Sequence, residues 1–186
     1  ALSLELLSAR LQAERTSGQS TLFTLSTLAL ELRFQGKYDE AEPLCREAME
    51  VRRETLGDRH LDTLSSIGGL GKVLLAKGDL AAAEPLLREA VEGMRETLGS
   101  RHQCMLFSIS NLAALLHAKG DCAAAEPLYR EAVEGMRETL GDRHQHTLSS
   151  ISNLGTMLKV KGDYAAAESP CREALEVQRE TLGNRH

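Results

Sequence analysis

An all-α solenoid is the fold class that the sequence predicts, on three observations. First, a landmark recurs every 42 residues: Leu56-Gly57-Asp58-Arg59-His60 returns as Leu98-Gly99-Ser100-Arg101-His102, Leu140-Gly141-Asp142-Arg143-His144 and Leu182-Gly183-Asn184-Arg185-His186. Second, the apolar residues inside each copy follow helical spacing. Third, apolar residues make up 42% of the chain but aromatics only 3%, with no Trp, so Leu and Ala must build the core. That composition suits closely packed helices better than a sheet sandwich. A fixed period of this size marks units that bury their apolar faces only against their neighbours.

The elements follow in order. In residues 1–17, Leu2, Leu6 and Leu7 keep helical spacing and read as the second helix of a degenerate preceding repeat. Four repeats follow at 18–59, 60–101, 102–143 and 144–186, together one solenoid domain, expected to be part of a longer chain. In the second repeat, Ile67, Leu70, Gly71 and Leu74 form the apolar face of a first helix, helix A, over about Leu61–Ala76. The next copies place Ile109, Leu112, Ala113 and Leu116, then Ile151, Leu154, Gly155 and Leu158, at the same steps. Gly78 is free to take the left-handed conformation that ends helix A, and Asp79 is placed to cap the next helix. That second helix, helix B, spans about Leu80–Leu98, with Ala83, Leu87, Ala90 and Met94 on its buried stripe.

Small residues mark where backbones approach. Ala29, Gly71, Ala113 and Gly155 share one register position, and Ala41, Ala83, Ala125 and Ala167 share another. Gly68, Gly69 and Gly71 crowd one helix A, which points to a flexible joint, a close backbone approach or relaxed surface positions. Pro43, Pro85, Pro127 and Pro170 fall just after the first turn of helix B, early enough to be tolerated, with Pro170 one residue late. Glu42–Arg46, Glu84–Arg88, Glu126–Arg130 and Glu168–Arg172 are i,i+4 pairs in the favourable order, on a solvated face.

Charge and composition exclude several classes. A net charge of −5 and a pI near 5.7 argue against a general nucleic-acid binder. No apolar run is long enough to insert into a membrane, and the start lacks the pattern of a secretory signal. Cys45, Cys171 and Cys122 take apolar register positions, so they read as core thiols of an intracellular, cytoplasmic protein rather than disulfides or metal ligands. The histidines at 60, 102, 144 and 186 advance with the repeat, too far apart to share an ion, and read as loop residues that help start helix A. His144-Gln145-His146 is a close pair without a third ligand. No phosphate loop, nucleophile elbow or His–Cys pair is present, so no catalytic residue, cofactor or metal is expected.

The order Leu28-Ala29, Gly36-Lys37-Tyr38, Ala41, Cys45 and Ala48 resembles the tetratricopeptide pattern. The longer period, with Ala125-Glu126-Pro127-Leu128-Tyr129-Arg130 and then Leu140-Gly141-Asp142-Arg143-His144, resembles the kinesin light chain subtype over residues 18–186. The resemblance implies helix-turn-helix repeats stacked as a right-handed superhelix, with helix A lining a concave groove. It also implies peptide-binding asparagines in an Asn-Leu-Ala motif, matched here by Asn111 but replaced by Thr27 and Gly69 in the first two repeats. The Lys and Asn of a chaperone carboxylate clamp are missing from the corresponding positions.

The face of helix A not used for packing carries the candidate site. In the third repeat this stripe is Phe107, Ser110, Asn111, Ala114, His117 and Ala118. Its counterparts in the second repeat are Ser65, Gly68, Gly69, Lys72, Leu75 and Ala76. Phe23, Phe34 and Phe107 all project from it, and so do the cations Arg33, Lys72, His117 and Lys159. With Asn111 and Asn153 offering amides to a peptide backbone, these residues point to a groove for an extended protein segment of partly acidic character. The expected function is a non-catalytic protein–protein interaction scaffold. The competing reading is an assembly subunit or spacer that docks laterally, through helix B residues such as Arg88 and Arg130.

Overall fold

The structure is a computed structural model that describes residues 21–183. The reading of residues 1–17 as a helix of an earlier repeat, and the last landmark histidine at 186, lie outside the described residues. Among the described residues eight helices alternate with short turns: α1 (Thr21–Phe34), α2 (Tyr38–Leu56), α3 (Leu61–Lys77), α4 (Leu80–Leu98), α5 (Gln103–Ala118), α6 (Cys122–Leu140), α7 (Gln145–Lys161) and α8 (Tyr164–Gly183). No strand occurs among them. The odd-numbered helices are the predicted helices A and the even-numbered ones the helices B. Packing divides the chain into two compact units, the first ending at Thr97 and the second beginning at Leu98.

The turns form by the chemistry that the sequence supplies. Gly78 ends α3 at φ 85° and Gly162 ends α7 at φ 88°, the left-handed region that only glycine enters without strain. Asp79 Oδ1 accepts the Ala82 amide at 3.0 Å, and Asp121 and Asp163 do the same for Ala124 and Ala166. Each described landmark histidine is a helix N-cap. Nδ1 of His60, His102 and His144 accepts the backbone N–H two residues on, at 3.2 Å. An imidazole therefore takes the place that Ser or Asp holds in most helix caps.

In the first unit α1, α2 and α3 pack in sequence around Leu25, Leu28, Leu32, Ala41, Ala48 and Val73. The small-residue positions explain how α4 closes on α3. A Cβ at Gly71 would sit 2.8 Å from Leu87, and one at Gly93 would sit 2.4 Å from Leu64. The second unit repeats this scheme, with α5 on α6, α6 on α7, α7 on α8, and α5 beside α7. A Cβ on Gly155 would meet Cys171 Sγ at 2.7 Å, and one on Gly135 would meet Leu106 at 2.4 Å. Of the glycines crowded in α3, Gly68 and Gly71 are buried and only Gly69 faces open space. This corrects the placement of Gly68 on the free stripe: the helix is rotated so that Gly68 points into the packed side.

Charged staples join each repeat to the next inside a unit. Lys77, at the end of α3, reaches Glu42 and Asp39 on α2 at 2.7 and 2.8 Å. Lys161 makes the same step to Glu126 at 2.6 Å. Glu42 and Glu126 also hold their i,i+4 partners Arg46 and Arg130 at 2.9 Å, so these glutamates sit between two cations. The lysine and then the arginine hold both carboxyls below the usual glutamate range. Two of the four predicted solvated pairs, those of Glu42 and Glu126, are therefore half of an inter-repeat contact. Arg53 pairs with Glu89 and Arg137 with Glu173 in the same manner.

Candidate functional site

The helix-A face of the first unit is formed by α1 and α3, with α2 beneath them. Between α1 and α3 lies a cleft of about 310 Å³, walled by Ser26, Leu30 and Arg33 on one side and by Asp62, Ser65 and Gly69 on the other. Its floor is α2, through Cys45, Ala48 and Arg52. The Arg52 guanidinium bridges the two walls, donating to Ser66 Oγ at 2.5 Å and to Ser26 Oγ at 3.2 Å. Ser66 Oγ donates in turn to the Asp62 carbonyl at 3.0 Å. Lys72 stands one turn beyond Gly69 on the same face of α3. The protein around its ammonium, and then the nearby Arg33 guanidinium, hold Lys72 below the usual lysine range. Burial pushes the Cys45 thiol up, so it rests in the cleft floor as a neutral group.

The second unit presents the matching face on α5 and α7, and here the residues close together. Ser110 and Ser150, register counterparts of Ser26 and Ser66, meet directly at 3.2 Å. Met136 replaces Arg52, and Ser150 Oγ donates to its sulfur at 3.3 Å. The Phe107 ring packs on the His146 imidazole, with centroids 4.5 Å apart and planes inclined by 59°. Among the described residues the side-chain amides of Asn111 and Asn153 and the Lys159 ammonium have no partner.

The structure sorts the predicted site residues by surroundings. Phe23 and Phe34 are 66% and 76% exposed, large values for aromatic side chains. The Arg33 guanidinium carbon lies 5.6 Å from the centroid of the Phe34 ring. Phe107, Asn111 and His117 are half-buried, whereas Lys72, Asn153 and Lys159 are exposed. Arg33 and Lys72 come together in the first unit, and Phe107 meets His146 in the second. Sequence reasoning missed Arg52 and Ser66. The one signal in the sequence was the repeat itself, which has Met94 and Met136 where Arg52 stands. All four cysteines are free and half-buried; Cys45 packs against the core of the first unit and Cys171 Sγ faces Gly155. Among the described residues no group of three or more His, Cys, Asp or Glu side chains gathers as a metal site. No helix among them is long and apolar enough to cross a membrane.

The tetratricopeptide repeat family model matches residues 20–96 and 103–180. The chain belongs to the tetratricopeptide repeat family. Repeats of this family generally serve as scaffolds for protein–protein interaction, typically without catalysis. No curated protein matches the chain. Among solved structures it is similar to the nearly identical TPR-like repeats of a candidate kinesin light chain from Podosopora anserina. The identity is 25%, over 96% of this chain and 86% of that one, with a TM-score of 0.73. A single-substitution form of that protein gives a TM-score of 0.76 at the same identity and coverage. BtubC (BKLC) from P. vanneervenii shares the fold, at 18% identity over 98% and 94% of the two chains and a TM-score of 0.65.

Proposed function

We propose that this tetratricopeptide array is a non-catalytic scaffold that holds an extended, partly acidic protein segment along its helix-A faces. One observation carries the reading: among the described residues, groups able to grip a peptide stand without a partner on that face, Lys72 in the first unit and Asn111, Asn153 and Lys159 in the second. Amides such as Asn111 and Asn153 offer a donor and an acceptor apiece, the pairing that an extended backbone needs. Lys72 and Lys159 supply positive charge on a chain with a net charge of −5. Phe23, Leu30 and Phe34 give α1 an exposed apolar stripe for side chains of the segment. The likeness to the kinesin light chain repeats supports the same helical repeat framework.

Lateral docking through helix B is the rival. Arg88 and Arg130, its best candidates, are already tied to Glu84 at 2.8 Å and Glu126 at 2.9 Å. A selection of displayed extended peptides against the chain, repeated on two double variants, separates the readings. Lys72→Glu with Lys159→Glu should lose the selected peptides, and binding should weaken steeply with salt. Arg88→Glu with Arg130→Glu should keep them. The opposite pattern overturns the groove reading in favour of lateral docking.

A further inference from the structure

The first unit holds a group that its own repeat pattern does not call for. Arg52 stands at a helix-B position that the next copies give to Met94 and Met136, both buried. Where methionine occupies it, in the second unit, the flanking serines Ser110 and Ser150 join each other. Where arginine occupies it, the flanking serines are held apart by the guanidinium, and a cleft lies between α1 and α3. A guanidinium has five N–H donors, of which the two serines take two. Among the described residues no carboxylate pairs with Arg33, Arg52 or Lys72. Two cations, Arg33 and Arg52, therefore line a cleft whose walls bring a single carboxylate, Asp62, and Lys72 stands near Arg33 just beyond its rim.

From this arrangement we infer that the cleft is a socket for a phosphorylated serine or threonine of the bound segment, held by Arg52 with Arg33 and Lys72. The inference rests on the groove reading and names the chemistry of one residue in its ligand. An aspartate or glutamate would bring one charge and two oxygens. A phosphate monoester brings about −1.5 to −2 charge and three strong acceptor oxygens, a closer match to the excess of positive charge. The two serines fix the Arg52 fork before any ligand arrives, so little side-chain freedom is lost when it grips a second pair of oxygens. The Ser26 hydroxyl hydrogen has no acceptor among the described residues and is free to donate.

The test titrates the isotope-labelled chain with N-acetyl-phosphoserine amide and, separately, N-acetyl-aspartate amide at constant ionic strength. The phosphoserine probe should shift the Arg52 side-chain N–H and the Ser26, Ser66 and Gly69 amides, binding about fivefold or more tightly than the aspartate probe. Arg52→Met places at this position the side chain that the second and third copies carry there, so the fold should be kept while the response is lost. Arg52→Lys should retain only a weak, unfocused response, because an ammonium lacks the fork. Equal affinity for the two probes would refute the socket, as would shifts scattered over surface lysines or an unchanged response in Arg52→Met. The probes are single residues, so this readout is independent of peptide capture. If the double lysine reversal leaves capture intact while the probe still binds at Arg52, the groove reading fails and the socket stands. Capture lost in that variant with no probe response at Arg52 means the reverse.

Discussion

Replacing Gly135 by alanine should destabilise this chain, although alanine is the better helix former. Gly135 lies inside α6, where its exchange for alanine removes a helix penalty of about 0.8–1.0 kcal/mol. Against that gain stands the space. The new Cβ would sit 2.4 Å from Leu106 Cδ2, 3.0 Å from Cδ1 and 3.3 Å from Cγ. Leu106 is 0% exposed, so it has no free volume into which to swing. Overpacking of this kind costs about 1–3 kcal/mol, so the steric cost outweighs the propensity gain by about 1 kcal/mol. Gly69→Ala is the matched control: nothing lies within 4 Å of its Cβ, so the propensity gain of about 0.5–1 kcal/mol should appear as added stability. Urea unfolding of the two variants and the parent, followed by circular dichroism, reads both signs from the midpoints at common slope. A rise in midpoint for Gly135→Ala comparable to that for Gly69→Ala would refute the close α5–α6 approach.

Three further outcomes follow from the packing and the staples. His102→Ala should lose the α5 cap and lower stability by about 1 kcal/mol, whereas His102→Asn should restore most of it, as read by urea midpoint. Ala125→Leu should destabilise by about 1–3 kcal/mol, because Ala125 is fully buried where two helices meet; an unchanged melting temperature would contradict that contact. For the staple, Lys161 and then Arg130 lower the folded Glu126 value beneath its ordinary 4.5. The stabilisation is thus complete above the unfolded value and is lost as pH falls through the lower folded one. Lys161→Met should therefore be less stable than the parent at neutral pH, with the two urea midpoints converging below about pH 4. Midpoint curves that stay parallel down to acid would rule out the Lys161–Glu126 link.

The candidate site was partly legible before any coordinates. Phe23, Phe34, Lys72 and Lys159 could be placed on one stripe because a helix has a fixed angular step, and a residue three or four positions from a core residue has a known direction. Gly68 shows where this fails. Its lack of a side chain left it assigned by arithmetic alone, and the side that packs proved wider than a single row. Arg52 shows a different limit. On a helical wheel it falls with core residues, and a charged core position reads as an anomaly rather than as the floor of a cleft. Only the two serines that receive its N–H groups, 14 and 26 positions away, give it a role.

What the chain alone determined was everything periodic and local: paired helices in each copy, their glycine and aspartate boundaries, the small residues at close approaches and the membership of one family. These depend on backbone conformation and on residues a few positions apart, and the fourfold copying states each of them again. Tertiary packing decided what local spacing cannot express. It turned two of the i,i+4 glutamates, Glu42 and Glu126, into bridges toward lysines 35 positions away, set Leu64 and Leu106 over glycines, and joined two serines in one unit while an arginine held their counterparts apart in the other. Such contacts follow from which side chain fills the space between neighbouring helices, and that depends on volumes and charges brought together only when the helices meet.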